Sequence, residues 1–276
     1  MILPGDAHMP PKLLAITSEM PWPLNTGGHL RTFHVMKALA AAFEVRLVVP
    51  MPDENRDGIE ALAAHSIRVI QVPVGPRSRF SEAKRLLGAR LRGDAYAMYR
   101  RHARSEVFTA WNAELRRDRP DLVHLDHLDS FLFHADAARA GVPAILDLHN
   151  VYSLILRRMA DESKGLAKRW FLRGEAKRLA KVERRACRSG AALLAVADGE
   201  AAHFRALGAT DVTVAPNGVD CAAFSDLPTG RLSPSPLEGA GRPASGRGEG
   251  LFRQIQQTHH PVGEAPHTLS LKRRGY

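Results

Sequence analysis

Lys12-Leu13-Leu14-Ala15-Ile16-Thr17-Ser18 is a short apolar run, and Val45-Arg46-Leu47-Val48-Val49 is a second. Between them lie a loop closing on Asn25-Thr26-Gly27-Gly28 and a segment with Leu30, Phe33, Met36, Leu39, Ala40 and Phe43 at helical spacing. Strand, glycine-bearing loop, helix, strand is a βαβ unit. Such a unit needs parallel strands with a helix crossing one face of the sheet.

Moving outward, further strands are predicted at 68–72, 122–125, 144–148, 192–197 and 212–215, with helical patterns between most of them. That alternation predicts an α/β fold: a Rossmann-like, doubly wound parallel sheet covered on both faces. Residues 81–117 break the alternation and read as two or three helices, with a break at Gly93-Asp94. From Pro228 the pattern fails, and 232–250 is dominated by Ser, Pro, Gly and Arg. The expected organisation is a flexible extension over 1–10, one domain over 11–228, and a disordered, non-native tail over 229–276. Phe224, Leu227 and Pro228 read as the start of a linker. The tail pair His259-His260 has no ligand set around it.

The chain has 276 residues, ample for a real core. Its two cysteines, Cys187 and Cys221, are far apart, which argues for a reducing compartment and against a disulfide framework. No apolar run approaches the roughly 20 residues that cross a bilayer. The first residues lack the basic start and apolar stretch of a signal peptide, so a cytoplasmic location is expected. The net charge of +10 points to an anionic partner such as a membrane surface, a nucleotide or nucleic acid. Two basic runs, 77–104 and 164–188, interleave cations with apolar residues. They suit either anionic lipid, peripherally at the inner membrane face, or a solvated helix face. No nucleic-acid reader motif accompanies the charge, so no nucleic acid is expected.

Gly27 and Gly28 directly precede a helix N-terminus, where backbone N–H groups approach an anion; a tight loop without ligand is the alternative. Arg31 follows on the first turn and points either to the same site or to solvent. Asp126 and His127 fall at the carboxyl end of a predicted parallel strand, where α/β sheets bind ligands. They suit a base, or hydrogen-bonding groups for a hydroxyl. Asp129 is expected to cap the helix that follows. His124-x-Asp126-His127 imitates half of a His-x-His-x-Asp-His metal cluster, but Leu122 stands at the first histidine position, so no metal is expected. Asp147-Leu148-His149-Asn150 ends another strand on the same edge, and the two polar clusters define a cleft. Glu175 and Glu183 imitate a paired-glutamate donor motif, yet Lys177, Arg178, Lys181, Arg184 and Arg185 surround them and salt bridging is the expected explanation.

Taken together these segments resemble the N-terminal half of a family 4 glycosyltransferase of GT-B fold. The matching pieces are Lys12-Leu13-Leu14-Ala15-Ile16-Thr17 with Pro21, Pro23 and Gly27-Gly28, then 120–127, 143–150, and 191–220 ending in Pro216-Asn217-Gly218-Val219-Asp220. The resemblance covers 11–224. It implies two Rossmann-like domains, the first carrying most of the acceptor site and the second holding the nucleotide sugar. Gly27, Gly28 and Arg31 would then serve the donor phosphates. Asp126 and His127 would be the catalytic pair, and His124, His149, Asn150 and Asn217 would belong to the acceptor and sugar cleft. The family retains anomeric configuration by front-face substitution, with the nucleotide sugar as substrate and no cofactor. The expected partners are a sugar acceptor, lipid-linked or polysaccharide, and a separate donor-binding domain. The chain reads as truncated before that second domain, so little transfer by it alone is expected. The competing reading is a non-catalytic module that binds a membrane surface or a partner.

Overall fold

Each apolar run becomes a parallel strand: β1 (Lys12–Ile16), β2 (Glu44–Met51), β3 (Ile67–Pro73), β4 (Leu122–Asp126), β5 (Ala144–Leu148), β6 (Ala192–Ala195) and β7 (Val212–Val214). The computed structural model describes residues 9–218. The expectations for most of the 1–10 extension, for Cys221, for the linker at Phe224, Leu227 and Pro228, and for the 229–276 tail with His259-His260 lie outside the described residues. So do Val219 and Asp220 of the matched segment.

The strands run in the order β3-β2-β1-β4-β5-β6-β7, every pair parallel. Leu13, Leu14 and Ala15 are all fully buried, because helices cover both faces, and this is why the strands read as continuous runs. The chain winds outward from β1 in one direction and from β4 in the other. The crevice beyond their carboxyl ends is therefore the topological switch point where such sheets take ligands.

On one face Leu13, Ala15, Val45, Leu47 and Val49 pack with Phe33 and Met36 of α1 (Gly27–Ala40) and Leu62 of α2 (Arg56–Ala63). α1 departs from its predicted apolar face at its first turn. Leu30 is exposed, whereas Arg31 and Thr32 are buried, because polar partners wait for them at the strand ends. On β2, Arg46 is also buried; its guanidinium meets Glu114 Oε2 at 2.5 Å and pins α4 (Ser105–Arg117) to the sheet. Such a pair holds position more than it adds stability.

The 81–117 region contains α3 (Arg79–Leu91), a turn at Arg100–His102 and α4. Beyond β4 come α5 (His134–Arg139), α6 (Tyr152–Glu162), α7 (Leu166–Cys187) and α8 (Asp198–Ala206). Salt bridging explains Glu175 only in part, and Glu183 is held by Ser153 instead. Glu175 pairs with Arg178 at 2.7 Å but also accepts the N–H groups of Tyr96 and Ala97 at 2.7 and 3.0 Å. Glu183 accepts Ser153 N–H at 2.9 Å and its hydroxyl at 2.5 Å, at the start of α6. Both buried carboxylates thus bind otherwise unpaired backbone donors and fasten neighbouring segments to α7.

Candidate functional site: a polar cluster at the strand ends

Asp126 and Asp147 are register partners at the ends of β4 and β5, so their carboxylates sit side by side at the switch point. Asp126 is fully buried and accepts four hydrogen bonds. Oδ2 takes the hydroxyls of Thr17 at 3.0 Å and Thr32 at 2.8 Å, and His127 Nδ1–H at 2.9 Å. Oδ1 takes His149 Nε2–H at 3.0 Å. A buried carboxylate so fully paired stays ionised. Burial alone would raise its pKa, but the imidazoles of His127 and His149 outweigh that and hold it well below the ordinary carboxylate range.

The Arg31 guanidinium donates from Nε and Nη2 to Asp147 Oδ1 at 3.2 and 2.8 Å. Its Nη1 reaches past the sheet to the Ala215 carbonyl at 2.7 Å and Asn217 Oδ1 at 3.0 Å. Arg31 therefore clasps α1, the end of β5 and the segment after β7. Asn217 is exposed except for this bond. His149 completes the group, 3.6 Å from Asp147 Oδ2. Burial pushes its imidazole down, yet Asp126 and then Asp147 raise it to about 9. Asp147 is held low by His149 against its own burial. Two carboxylates and two cations thus neutralise one another inside the protein, which is how buried charge is tolerated.

His127 lies on the wet side of this cluster, half-buried, with φ 65° and ψ 164°. A side chain in that left-handed region costs on the order of 1–3 kcal/mol, and such strain concentrates at functional sites. The bond from His127 N–H to the Asp147 carbonyl at 3.0 Å holds the turn. Since Nδ1 is committed to Asp126, Nε2 is the ring nitrogen left for a ligand. A Cβ placed on Gly28 would lie 3.8 Å from that Nε2, so the glycine-bearing start of α1 faces the ring. Thr26 caps α1 by accepting His29 N–H at 3.1 Å, and the first N–H groups of a helix have no acceptor within it. Gly27 has open space where a side chain would be. His29 bonds the Pro23 carbonyl at 2.8 Å and meets Glu19 Oε1 at 3.3 Å. The bond from His29 holds the Glu19 carboxyl below its ordinary range.

Five of the sequence candidates therefore converge, namely Gly28, Arg31, Asp126, His127 and His149, and Asn217 joins them through Arg31. His124 does not join them in the cleft. It lies two residues below Asp126 on the same strand face, fully buried, and neither ring nitrogen has a hydrogen-bond partner among the described residues. Burial holds its imidazole below the ordinary value, so it serves as a neutral core residue. Asn150 is half-buried just beyond the end of β5. Asp129 does not cap a helix; it lies inside the turn Leu128–Phe133 and faces His102 Nδ1 at 3.3 Å. Thr17 and Thr32 are site-building groups that the sequence pattern does not single out, whereas Asp147 stands in the second polar cluster without its role as the acceptor for Arg31 being signalled. The only signal of the two threonines is position, at a strand end or on the inward side of α1.

Asp126, His127 and His149 each offer one ligand atom within 4.8 Å of the others, and these are donor types that a transition metal takes. An ion there would have to displace the ring protons that now bond Asp126.

A family model described as a glycosyl transferase 4-like domain matches residues 26–218. Among curated proteins no match is found. Similar solved structures include a sucrose-phosphate synthase from Thermosynechococcus elongatus, at 12% identity and a TM-score of 0.43, covering 77% of this chain and 92% of that one. Another is Phytolacca americana UGT2 complexed with UDP-2fluoro-glucose and pterostilbene, at 13% identity and a TM-score of 0.44, covering 78% and 56%. A third is a UDP-glucosyltransferase from Polygonum tinctorium capable of glucosylating indoxyl, at 14% identity and a TM-score of 0.43, covering 78% and 54%. The chain spans little more than half the length of these two plant proteins.

Proposed function

This chain belongs to the glycosyl transferase 4-like domain family, and on that premise we propose that its cleft is the acceptor side of a sugar transfer. The donor is a nucleotide sugar acting as substrate, the acceptor is lipid-linked or a polysaccharide met at the cytoplasmic membrane face, and anomeric configuration is retained. The observation that carries the reading is His127, oriented by Asp126 through Nδ1, with Nε2 turned to the start of α1. In that position Nε2 accepts a hydrogen bond from a sugar hydroxyl, while the N–H groups of Gly27 and Gly28 meet negative charge favoured by the helix dipole. His149 and Arg31 keep Asp126 and Asp147 in place, so the ring does not have to reorganise when a ligand arrives.

Transfer also needs groups that hold the donor and neutralise its departing phosphate, and these belong to a second Rossmann-like domain, whereas the described residues form one sheet. Turnover by the described domain alone is therefore expected to be small. Histidine-selective NMR on the full chain, titrated with candidate lipid-linked and polysaccharide acceptors, tests the assignment. Acceptor binding should move the ring signals of His127 ahead of those of His65 or His134. Saturable binding that leaves His127 and His149 unmoved would place the acceptor elsewhere and end this reading.

A further inference from the structure

α3 is amphipathic with its faces reversed. Phe80, Lys84, Leu87 and Leu91 recur at helical spacing and line one stripe. Ala89, its buried residue, lies about half a turn away around the helix. The polar side is the one turned to the protein. Arg85 donates to the carbonyls of Arg100 and Ala103 at 2.9 and 2.7 Å, and Arg77, just ahead of the helix, donates to those of Arg101 and Ala103, both at 2.7 Å. The Tyr96 hydroxyl adds a bond to Glu82. With Arg77 and Arg85 holding it down, the helix turns hydrocarbon outward: Phe80 is 69% exposed, Leu87 59% and Leu91 81%.

The start of α7 continues the surface with Leu166 at 80% and Trp170 at 69% exposure. Arg90 of α3 joins the two, its guanidinium 4.9 Å from the Trp170 ring and 5.7 Å from that of Phe171. Lys84 lies 4.4 Å over the Phe80 ring, inside the stripe itself. Cations embedded among exposed leucines and a tryptophan suit an occupant that is apolar in its depth and negatively charged at its surface. Long basic side chains then reach up to headgroups while the leucines enter the acyl boundary. The charge agrees: between 77 and 104 nine arginines and lysines face only Glu82 and Asp94, in a chain of net charge +10.

We propose that the α3–α7 surface docks on an anionic phospholipid bilayer, with Phe80, Leu87 and Leu91 turned to the acyl chains and Leu166 and Trp170 beside them. This goes beyond the sugar-transfer reading, requires no turnover, and stands if that reading fails.

The test uses the full chain with phosphatidylcholine vesicles, with and without phosphatidylglycerol, followed by co-sedimentation and tryptophan emission. Trp111 is buried and Trp22 half-buried, so Trp170 is the reporter. Binding should require phosphatidylglycerol and shift emission to the blue, and Trp170→Phe should abolish the shift. The double variant Leu87→Asp with Leu91→Asp should bind at least about tenfold more weakly with an unchanged melting curve, since both side chains are exposed. Equal binding by that variant would overturn the proposal and assign the attraction to other cations, such as Lys272, Arg273 and Arg274. Equal affinity for neutral vesicles would also overturn it. So would self-association that the double variant abolishes while vesicle binding persists, because the face would then belong to a second copy of the chain.

Discussion

Replacing His149 with Gln keeps a donor for Asp126 and removes the buried cation. In the native protein the imidazole is raised from 6.5 to about 9, mainly by Asp126 and then Asp147 acting against burial. At roughly 1.4 kcal/mol per unit, that difference contributes about 3 kcal/mol to folding. Because the folded value is raised, the contribution is complete below 6.5 and is lost as pH climbs through about 9. Asp126 behaves oppositely: held low, it gives up its share only as pH falls below the ordinary carboxylate value of 3.8. His124, held neutral by burial, lowers stability only as pH drops below 6.5. Between 6.5 and about 9, then, the stabilising charge of His149 is progressively lost. Urea unfolding of the full chain at about pH 6.5 and about pH 9.5 reads the effect, with an m-value of roughly 2 kcal/mol/M converting it to a midpoint shift of about 1.5 M. The native midpoint should fall by that much more than the midpoint of His149→Gln, and groups common to both proteins cancel in the difference. Identical pH dependence in the two proteins would refute the buried imidazolium and, with it, the electrostatic account of the cleft.

Arg31→Lys keeps the charge but cannot span Asp147, Ala215 and Asn217 together, so stability should fall by about 2 kcal/mol and the melting temperature by roughly 4–8 °C. An unchanged melt would show that the clasp contributes nothing. Gly28→Ala places a methyl 3.8 Å from His127 Nε2 in ordinary contact, so thermal stability should hold or rise by about 0.5 kcal/mol while acceptor binding weakens. Undiminished binding in that variant would move the ligand away from the start of α1.

The sheet was legible because parallel strands covered on both faces are mostly apolar, and that shows as local runs in β1, β2 and β4 to β6 despite single polar residues such as Arg46 and His124. The polar pairs Asp126-His127 and His149-Asn150 could be read for the same local reason, since each ends a run that otherwise tolerates no charge. Their partnerships were not legible. Asp126 is bonded by Thr32 and Thr17, 94 and 109 residues away, and Asp147 by Arg31, 116 residues away. Nothing in the spacing announces such pairs; the strand order brings them together. His124 resembles its neighbours by residue type and differs only in depth, two residues further into the sheet, where desolvation leaves it neutral. α3 inverts the usual inference from apolar spacing, because the carbonyls of Arg100 and Ala103 draw Arg85 inward and leave Leu87 and Leu91 to the outside. Local periodicity determined which elements form. Depth, charge partners and the outward face of a helix were decided by the packing of distant segments, since burial and Coulomb energies depend on separation in space and not along the chain.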